Sequence, residues 1–183
     1  MILLGKKVRL RSTRLSDVPM LHKWVNNKKL NYFLGMEIPI SLKEERRKVR
    51  AMINDKTKRH FIIELRATGE PIGVMSINNI MPKQYRAGTG AFIAYPKYWG
   101  EGYGSDAKMV LLRYAFLKLK LNRVESHVFP HNPRSLRYSQ KCGYKLEGIL
   151  RQNVRKHGKF YDSIVLSVLK QDWLKLAKKQ GYV

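Results

Sequence analysis

Apolar residues in this chain recur in two rhythms, and each rhythm names an element. Val8-Arg9-Leu10-Arg11 alternates apolar and basic positions, the period of a half-buried strand. Ser16-Asp17 opens a helix whose Leu21, Trp24 and Val25 share one face. Ser41 with Glu44 forms a capping box that starts a second, highly charged helix ending near Ile53. Phe61–Leu65 and Ile72–Ile77 read as strands joined by a turn over Ala67–Pro71 that contains Gly69. Ala91–Tyr95 is a further, more buried strand, and a glycine-rich loop follows it at once. Beyond the loop, Ala107, Val110, Leu111, Tyr114 and Leu117 recur at helical spacing. Arg123–Phe129 is a strand, Pro133–Cys142 a short helix, Glu147–Arg155 and Phe160–Leu169 a hairpin across His157-Gly158, and Asp172–Lys179 a last helix. The order β-α-α-β-β-β-α-β-α-β-β-α combines antiparallel hairpins with two strand–helix crossovers. It predicts a single-domain α/β fold with a mixed, mostly antiparallel sheet flanked by helices.

The 183 residues suit one domain, and no internal repeat or Gly/Ser/Pro linker divides them. Chains of about 150 to 200 residues bury roughly 70% of their unfolded surface and fold without a disulfide or metal. A content of 44% hydrophobic and 10% aromatic residues excludes wholesale disorder and low complexity. Cys142 is the one cysteine, which excludes a disulfide framework and a CxxC zinc site and fits a reducing compartment. No apolar run approaches the ~20 residues of a membrane span. Met1–Lys7 places its apolar part before its charges, the wrong order for a signal peptide, so a cytoplasmic location without membrane attachment is expected. No metal site is expected.

Charge changes this picture. Lys and Arg number 37 against 13 Asp and Glu, a formal net charge of +24 spread from Lys6 to Lys179. Such a surface can serve solvation in a heat-stable protein, attraction to RNA or a ribosome, or binding of a polyphosphate ligand.

The loop Gly100-Glu101-Gly102-Tyr103-Gly104 stands between a buried strand and a helix. Alternate glycines let backbone N–H groups turn inward, and the helix start near Ser105 adds unpaired N–H groups and a positive dipole end. That combination makes a phosphate site. The nucleotide-triphosphate pattern GxxxxGK[ST] is not met, and Ser105 replaces the third glycine of the dinucleotide pattern GxGxxG. From these residues alone an unliganded tight turn stays open.

Three segments then converge. Tyr98–Ala107 resembles the acetyl-CoA loop of the GCN5-related N-acetyltransferases (GNAT), and most resembles the RimJ/RimL branch, which acetylates N-terminal amines of ribosomal proteins. Pro130–Ser135 with Cys142–Gly148 resembles that branch's Asn-x-x-Ser…Gly-Phe-x-x-Glu-Gly segment. His157–Asp162 resembles its Gly-x-Trp/Tyr-x-Asp hairpin. The element order matches over 7–175, which leaves 176–183 as a tail.

The resemblance implies acetyl-CoA as co-substrate, with its pyrophosphate on the amides of Gly100, Glu101, Gly102, Tyr103, Gly104 and Ser105. Phe92, Ile93, Ala94 and Tyr95 would bond the pantetheine arm like a further strand. A splay between that strand and Arg123–Phe129 would open the slot. Asn132 and Ser135 would contact the arm. Trp99 departs from the Gln or Arg common in the wider family, though RimJ/RimL-like members often carry an aromatic there.

Acetyl transfer to an amine needs a neutral amine, a polarised thioester and a proton for the thiolate. Glu125 and His127 share a strand face beside the expected slot and are candidate bases, although Glu125 also suits an ordinary ion pair. The family's tyrosine acid falls on Ser139, which could relay a proton through water, and Tyr138 next to it faces about 100° away. Glu64, Glu147 and His131 are weaker candidates, and Cys142 reads as packing rather than an acyl carrier.

The acceptor expected from the resemblance is a protein N-terminal α-amine, in a monomer or homodimer with possible ribosome or RNA association. Polyamine or aminoglycoside acetylation remains an alternative. So does a basic RNA-binding protein on the same fold, with which the interleaved Lys28–Phe33 stretch is compatible.

Overall fold

The computed structural model describes residues 1–34 and 37–183. Its centre is β3 (Arg59–Leu65), where alternation sends Phe61 and Ile63 to one side of the sheet and Ile62 to the other, all fully buried. A strand apolar on both faces needs a layer on each. Eight strands form that sheet: β1 (Ile2–Leu4), β2 (Val8–Ser12), β3, β4 (Pro71–Met81), β5 (Arg86–Ile93), β6 (Arg123–Val128), β7 (Lys145–Lys156) and β8 (Lys159–Leu169). Their order is β1-β2-β3-β4-β5-β6-β8-β7. Every neighbouring pair is antiparallel except β5 and β6, which run parallel, so the expected mixed sheet is observed.

One layer comprises α1 (Val18–Val25), α2 (Lys28–Asn31) and α3 (Leu42–Asn54), whose Val18, Leu21, Trp24 and Val49 pack on Ile62, Val74, Phe92 and Ala94. The other holds α4 (Tyr103–Arg113) and α6 (Lys170–Lys179), with Val110, Leu111 and Trp173 against Leu10, Phe61, Ile63 and Met75. α5 (Pro133–Lys141) packs beside α4. The Ser41–Glu44 capping box starts α3 as its sequence predicts. α4 runs into one wider, π-type turn at Tyr114–Lys118, closed by Leu119 N–H on the Tyr114 carbonyl at 3.0 Å. No described helix is long and apolar enough to cross a membrane.

One reading is corrected, and the structure adds segments that the sequence pattern did not show. The strand expected at Ala91–Tyr95 begins at Arg86 and ends at Ile93, because β4 and β5 form a longer hairpin turned at Pro82–Tyr85. α2 was not legible, being a single turn capped by the Asn27 side chain on Leu30 N–H. Residues outside 7–175 also make contacts with the fold. Ile2–Leu4 pairs with β2, and Tyr182 donates its hydroxyl to Asp106 at 2.6 Å.

Asp106, in the first turn of α4, is the fastening point. Its carboxylate accepts the backbone N–H groups of Lys6 (3.0 Å), Lys7 (2.7 Å) and Val8 (2.9 Å) as well as the Tyr182 hydroxyl. It is 4% exposed, so these partners replace its water. Each hydrogen bond to a charged group contributes about 1.5–3 kcal/mol, and a stranded buried donor costs about 1–3 kcal/mol. Asp106→Ala should therefore lower stability by about 3 kcal/mol or more, and Tyr182→Phe by about 1 kcal/mol, in urea denaturation.

Candidate active site

β5 and β6 pair only from Arg86–Thr89 to Arg123–Ser126. Past that point β5 stays with β4 as far as Ile93, and β6 stays with β8 as far as Val128, so the two strands part. The Ala94 N–H bonds the Ile72 carbonyl at 2.8 Å. By alternation the backbone groups of Ala91 and Ile93 face the opening instead. There the Ile93 carbonyl accepts the Trp99 indole N–H at 2.9 Å.

A cavity of about 470 Å³ occupies the divergence. β5 contributes Ala91, Phe92 and Ile93, and Leu30 and Phe33 close it from the α2 segment. Gly100, Gly102, Gly104 and Ser105 form one end. Gly100 (φ +87°) and Gly102 (φ +83°) are left-handed, which a side chain would strain. Gly102 is the N-cap of α4 and no side chain caps that end, so the first-turn N–H groups are available to an anion. Arg137 and Lys141 line the cavity, as does Arg134, which stacks 3.9 Å from the Trp99 ring centroid.

Of the residues expected to hold a cofactor, Phe92, Ile93, Gly100, Gly102, Gly104, Ser105, Asn132 and Ser135 lie together on this cavity. Asn132 also caps α5, its Oδ1 accepting Ser135 N–H at 3.1 Å. Four do not line it. Ala94 spends its N–H on β4, and Tyr95 lies past the strand, its hydroxyl accepting the Trp24 indole N–H at 3.2 Å. Glu101 and Tyr103 alternate with the lining glycines and do not line the cavity. The Glu101 carbonyl accepts from Lys7 Nζ at 2.9 Å, and Tyr103 packs edge-on against Tyr98.

The acid and base candidates are redistributed. Glu125 and His127 do share a face, but that face lines a separate pocket of about 280 Å³ with Asn78 and Arg86. Glu125 is tied to Arg123 Nε at 2.9 Å and lies 3.7 Å from Arg86, the ion-pair reading of that residue. Glu64 is held by Arg9 and Arg11, each at 2.7 Å. Arg123 and Ser167 draw the Glu147 carboxyl down to about 2. Ser139 is fully buried away from the cavity, and its Oγ has no partner among the described residues. Its neighbour Tyr138 is the one that lines the cavity, because the rotation between them turns Ser139 into the helix packing. Burial holds the Tyr138 phenol well above its usual range, so it stays protonated at neutral pH. Cys142 is buried and its thiol is pushed up to about 11, which fits packing. His131 stacks on Phe129 with ring centroids 5.1 Å apart.

Sequence reasoning missed Lys108. It is fully buried, its Nζ donates to Thr89 Oγ1 at 2.8 Å, and burial lowers its pKa to about 8. Its spacing of three and four residues before Leu111 and Leu112 was a usable signal, since it places Lys108 on the inner face of α4. Among the described residues no cluster of three or more His, Cys, Asp or Glu could hold a metal.

Known proteins resemble this chain in sequence and fold. The chain is 28% identical over 172 residues to the uncharacterized N-acetyltransferase p20 of Bacillus licheniformis, covering 92% of this chain and 96% of that one. It is 24% identical over 171 residues to the spermidine N(1)-acetyltransferase of Vibrio cholerae, covering 93% and 98%. The crystal structure of the Vibrio cholerae spermidine N-acetyltransferase in complex with CoA and spermine superposes with a TM-score of 0.83 over 92% of this chain and 98% of that one, at 24% identity. The alpha/beta-tubulin-N-acetyltransferase 9 of Mus musculus is 26% identical over 155 residues, covering 79% and 64%. Residues 7–145 match the model of the acetyltransferase (GNAT) domain, and with a splayed sheet and a glycine loop at a helix start the chain belongs to that family of acetyltransferases.

Proposed function

We propose that this acetyltransferase uses acetyl-CoA to acetylate a primary amine by direct attack, and that the amine is the N-terminal α-amine of a protein or peptide. The cavity lining carries this reading. Glycine amides, Arg134, Arg137 and Lys141 suit the phosphates of CoA, and no carboxylate lines the cavity among the described residues. A polyamine site needs acids to collect its charges, whereas Glu64, Glu125 and Glu147 are engaged with arginines. An α-amine with a pKa near 7.7 is neutral in about one molecule in six at pH 7, against about one in 2,500 for a lysine amine near 10.4. An α-amine therefore asks little of a general base. In this reading Tyr138, protonated and lining the cavity, gives the proton to the departing thiolate. The formal charge of +24 would favour docking on an anionic assembly such as a ribosome, an attraction screened beyond about 8 Å at physiological salt.

The alternative acceptor is a polyamine, favoured by the likeness to the Vibrio cholerae spermidine enzyme. Comparing kcat/KM for a short peptide, its N-terminally blocked lysine-containing analogue and spermidine decides between them. The peptide should lead, and preference for spermidine would reassign the acceptor while keeping acetyl transfer.

Gly104 tests the cofactor end. It has no positive φ, and an added Cβ would meet only Ile93 at 3.9 Å. Gly104→Val should keep the fold and weaken CoA binding by about tenfold or more in calorimetry, because its methyls enter the phosphate end. Tyr138→Phe should leave CoA affinity and stability near wild type and lower kcat on the order of a hundredfold, the lower range for a positioned acid. Unchanged kcat would remove Tyr138 from proton transfer.

A further inference from the structure

A buried cation stands at the inner end of the slot. Lys108 lies one turn past Gly104 on α4 and is wholly shielded from solvent. Its Nζ donates to Thr89, the last β5 residue paired with β6. The ammonium sits 5.2 Å from the ring centroid of Tyr138 and 5.0 Å from that of Tyr144. The Thr89 hydroxyl also lies 3.1 Å from the Tyr144 hydroxyl and 3.1 Å from the Glu125 carbonyl. A lysine, a threonine and two tyrosines thus meet where the strands part, and of these Tyr138 lines the cavity.

The groups facing Lys108 are Thr89 from β5, Tyr138 from α5, and Cys142 and Tyr144 just beyond it. Among the described residues no carboxylate pairs with it. Asp106 on the same helix is occupied by the Lys6, Lys7 and Val8 amides and Tyr182, and Glu125 directs its carboxylate to Arg123. With a pKa of about 8, Lys108 is about nine-tenths charged at pH 7. An ammonium without a counter-ion is costly to bury, and an apolar side chain of similar length would fill the space at lower cost. The position of that charge, beside the cavity tyrosine and at the strand divergence, gives it a use.

We propose that Lys108 is a positioning residue of the catalytic centre, a fixed cation that holds Tyr138 against the cavity and stabilises negative charge leaving on the CoA sulfur. This rests on the acetyl-transfer reading. In that reaction the amine lone pair forms the new N–C bond, and the C–S bond breaks with its electrons going to sulfur. Tyr138 gives its proton to the sulfur, and the surplus proton of the amine restores the phenol. A cation beside this path stabilises both the thiolate and the transient phenolate.

The test uses Lys108→Met and Lys108→Gln, the second keeping a donor for Thr89 without the charge. In both, kcat should fall by about tenfold or more while KM for acetyl-CoA and amine stays within roughly threefold. The ultraviolet titration midpoint of the bound CoA thiol should rise by about one pH unit, and melting temperatures should match or exceed wild type. A kcat within about twofold of wild type, or an unchanged thiol midpoint, overturns the proposal. Failure of both variants to fold would make Lys108 structural and overturn it too. Flat calorimetric titration of wild type with CoA would instead overturn the acetyl-transfer reading and this inference with it. Equal CoA binding and equal thiol midpoints in all three proteins would remove Lys108 alone.

Discussion

The incomplete pairing of β5 with β6 is the constraint on which the rest of this structure depends. Two parallel strands share four residue pairs and then diverge. Each keeps its other neighbour, so the sheet does not lose its hold on either strand. The divergence leaves backbone groups of Ala91 and Ile93 facing a cavity rather than a ladder, a condition tolerated only where another partner can approach. Trp99 already takes one of these groups, the Ile93 carbonyl. Because β5 ends at Ile93 and α4 begins at Tyr103, the chain must turn at once from sheet edge to helix start. The left-handed glycines at 100 and 102 make that turn and bring the α4 amides to the mouth of the same opening.

Acidic residues hold this frame together, and cations are left to face the ligand. Asp106 ties the first strands and the C-terminus to α4, directly behind the glycine loop. Arg11 is shared between Asp17 and Glu64, and Arg123 between Glu125 and Glu147. With these acids engaged, the cavity presents Arg134, Arg137 and Lys141. A polyphosphate donor suits that field. Lys156 performs a related task elsewhere. Its Nζ donates to the Leu34 carbonyl at 2.6 Å and to the Asn31 carbonyl, fastening the β7–β8 hairpin to the segment that roofs the cavity.

Much of this was written in local pattern. Alternation at Val8–Arg11, the Ser41–Glu44 cap, the His157-Gly158 turn and the glycine loop each act over a few residues, so local sterics and hydrogen bonding suffice to specify them. The family resemblance followed from the glycine loop, the Pro130–Gly148 stretch and the His157–Asp162 hairpin, and with it the fold, the expected splay and eight of the residues that line the cavity. The rest turned on orientation between elements. Whether Tyr138 or Ser139 meets the cavity depends on how α5 rolls against α4. Whether Glu125 is a base or an ion-pair partner depends on Arg123 and Arg86, brought beside it by strand register. The docking of residues 1–6 and 176–183 joins the β1–β2 pairing and the packing of Ala177 to one carboxylate far from both ends in sequence. The spacing of Lys108 to Leu111 and Leu112 hints at an inward position, but its partners Thr89, Tyr138 and Tyr144 come together only when the helix is laid on the sheet. The sequence alone determined most of the elements, the glycine loop and the family, because these rest on short-range periodicity and turn chemistry. Only the tertiary structure decided which side chains share the cavity, because long-range packing fixes the rotation of each element.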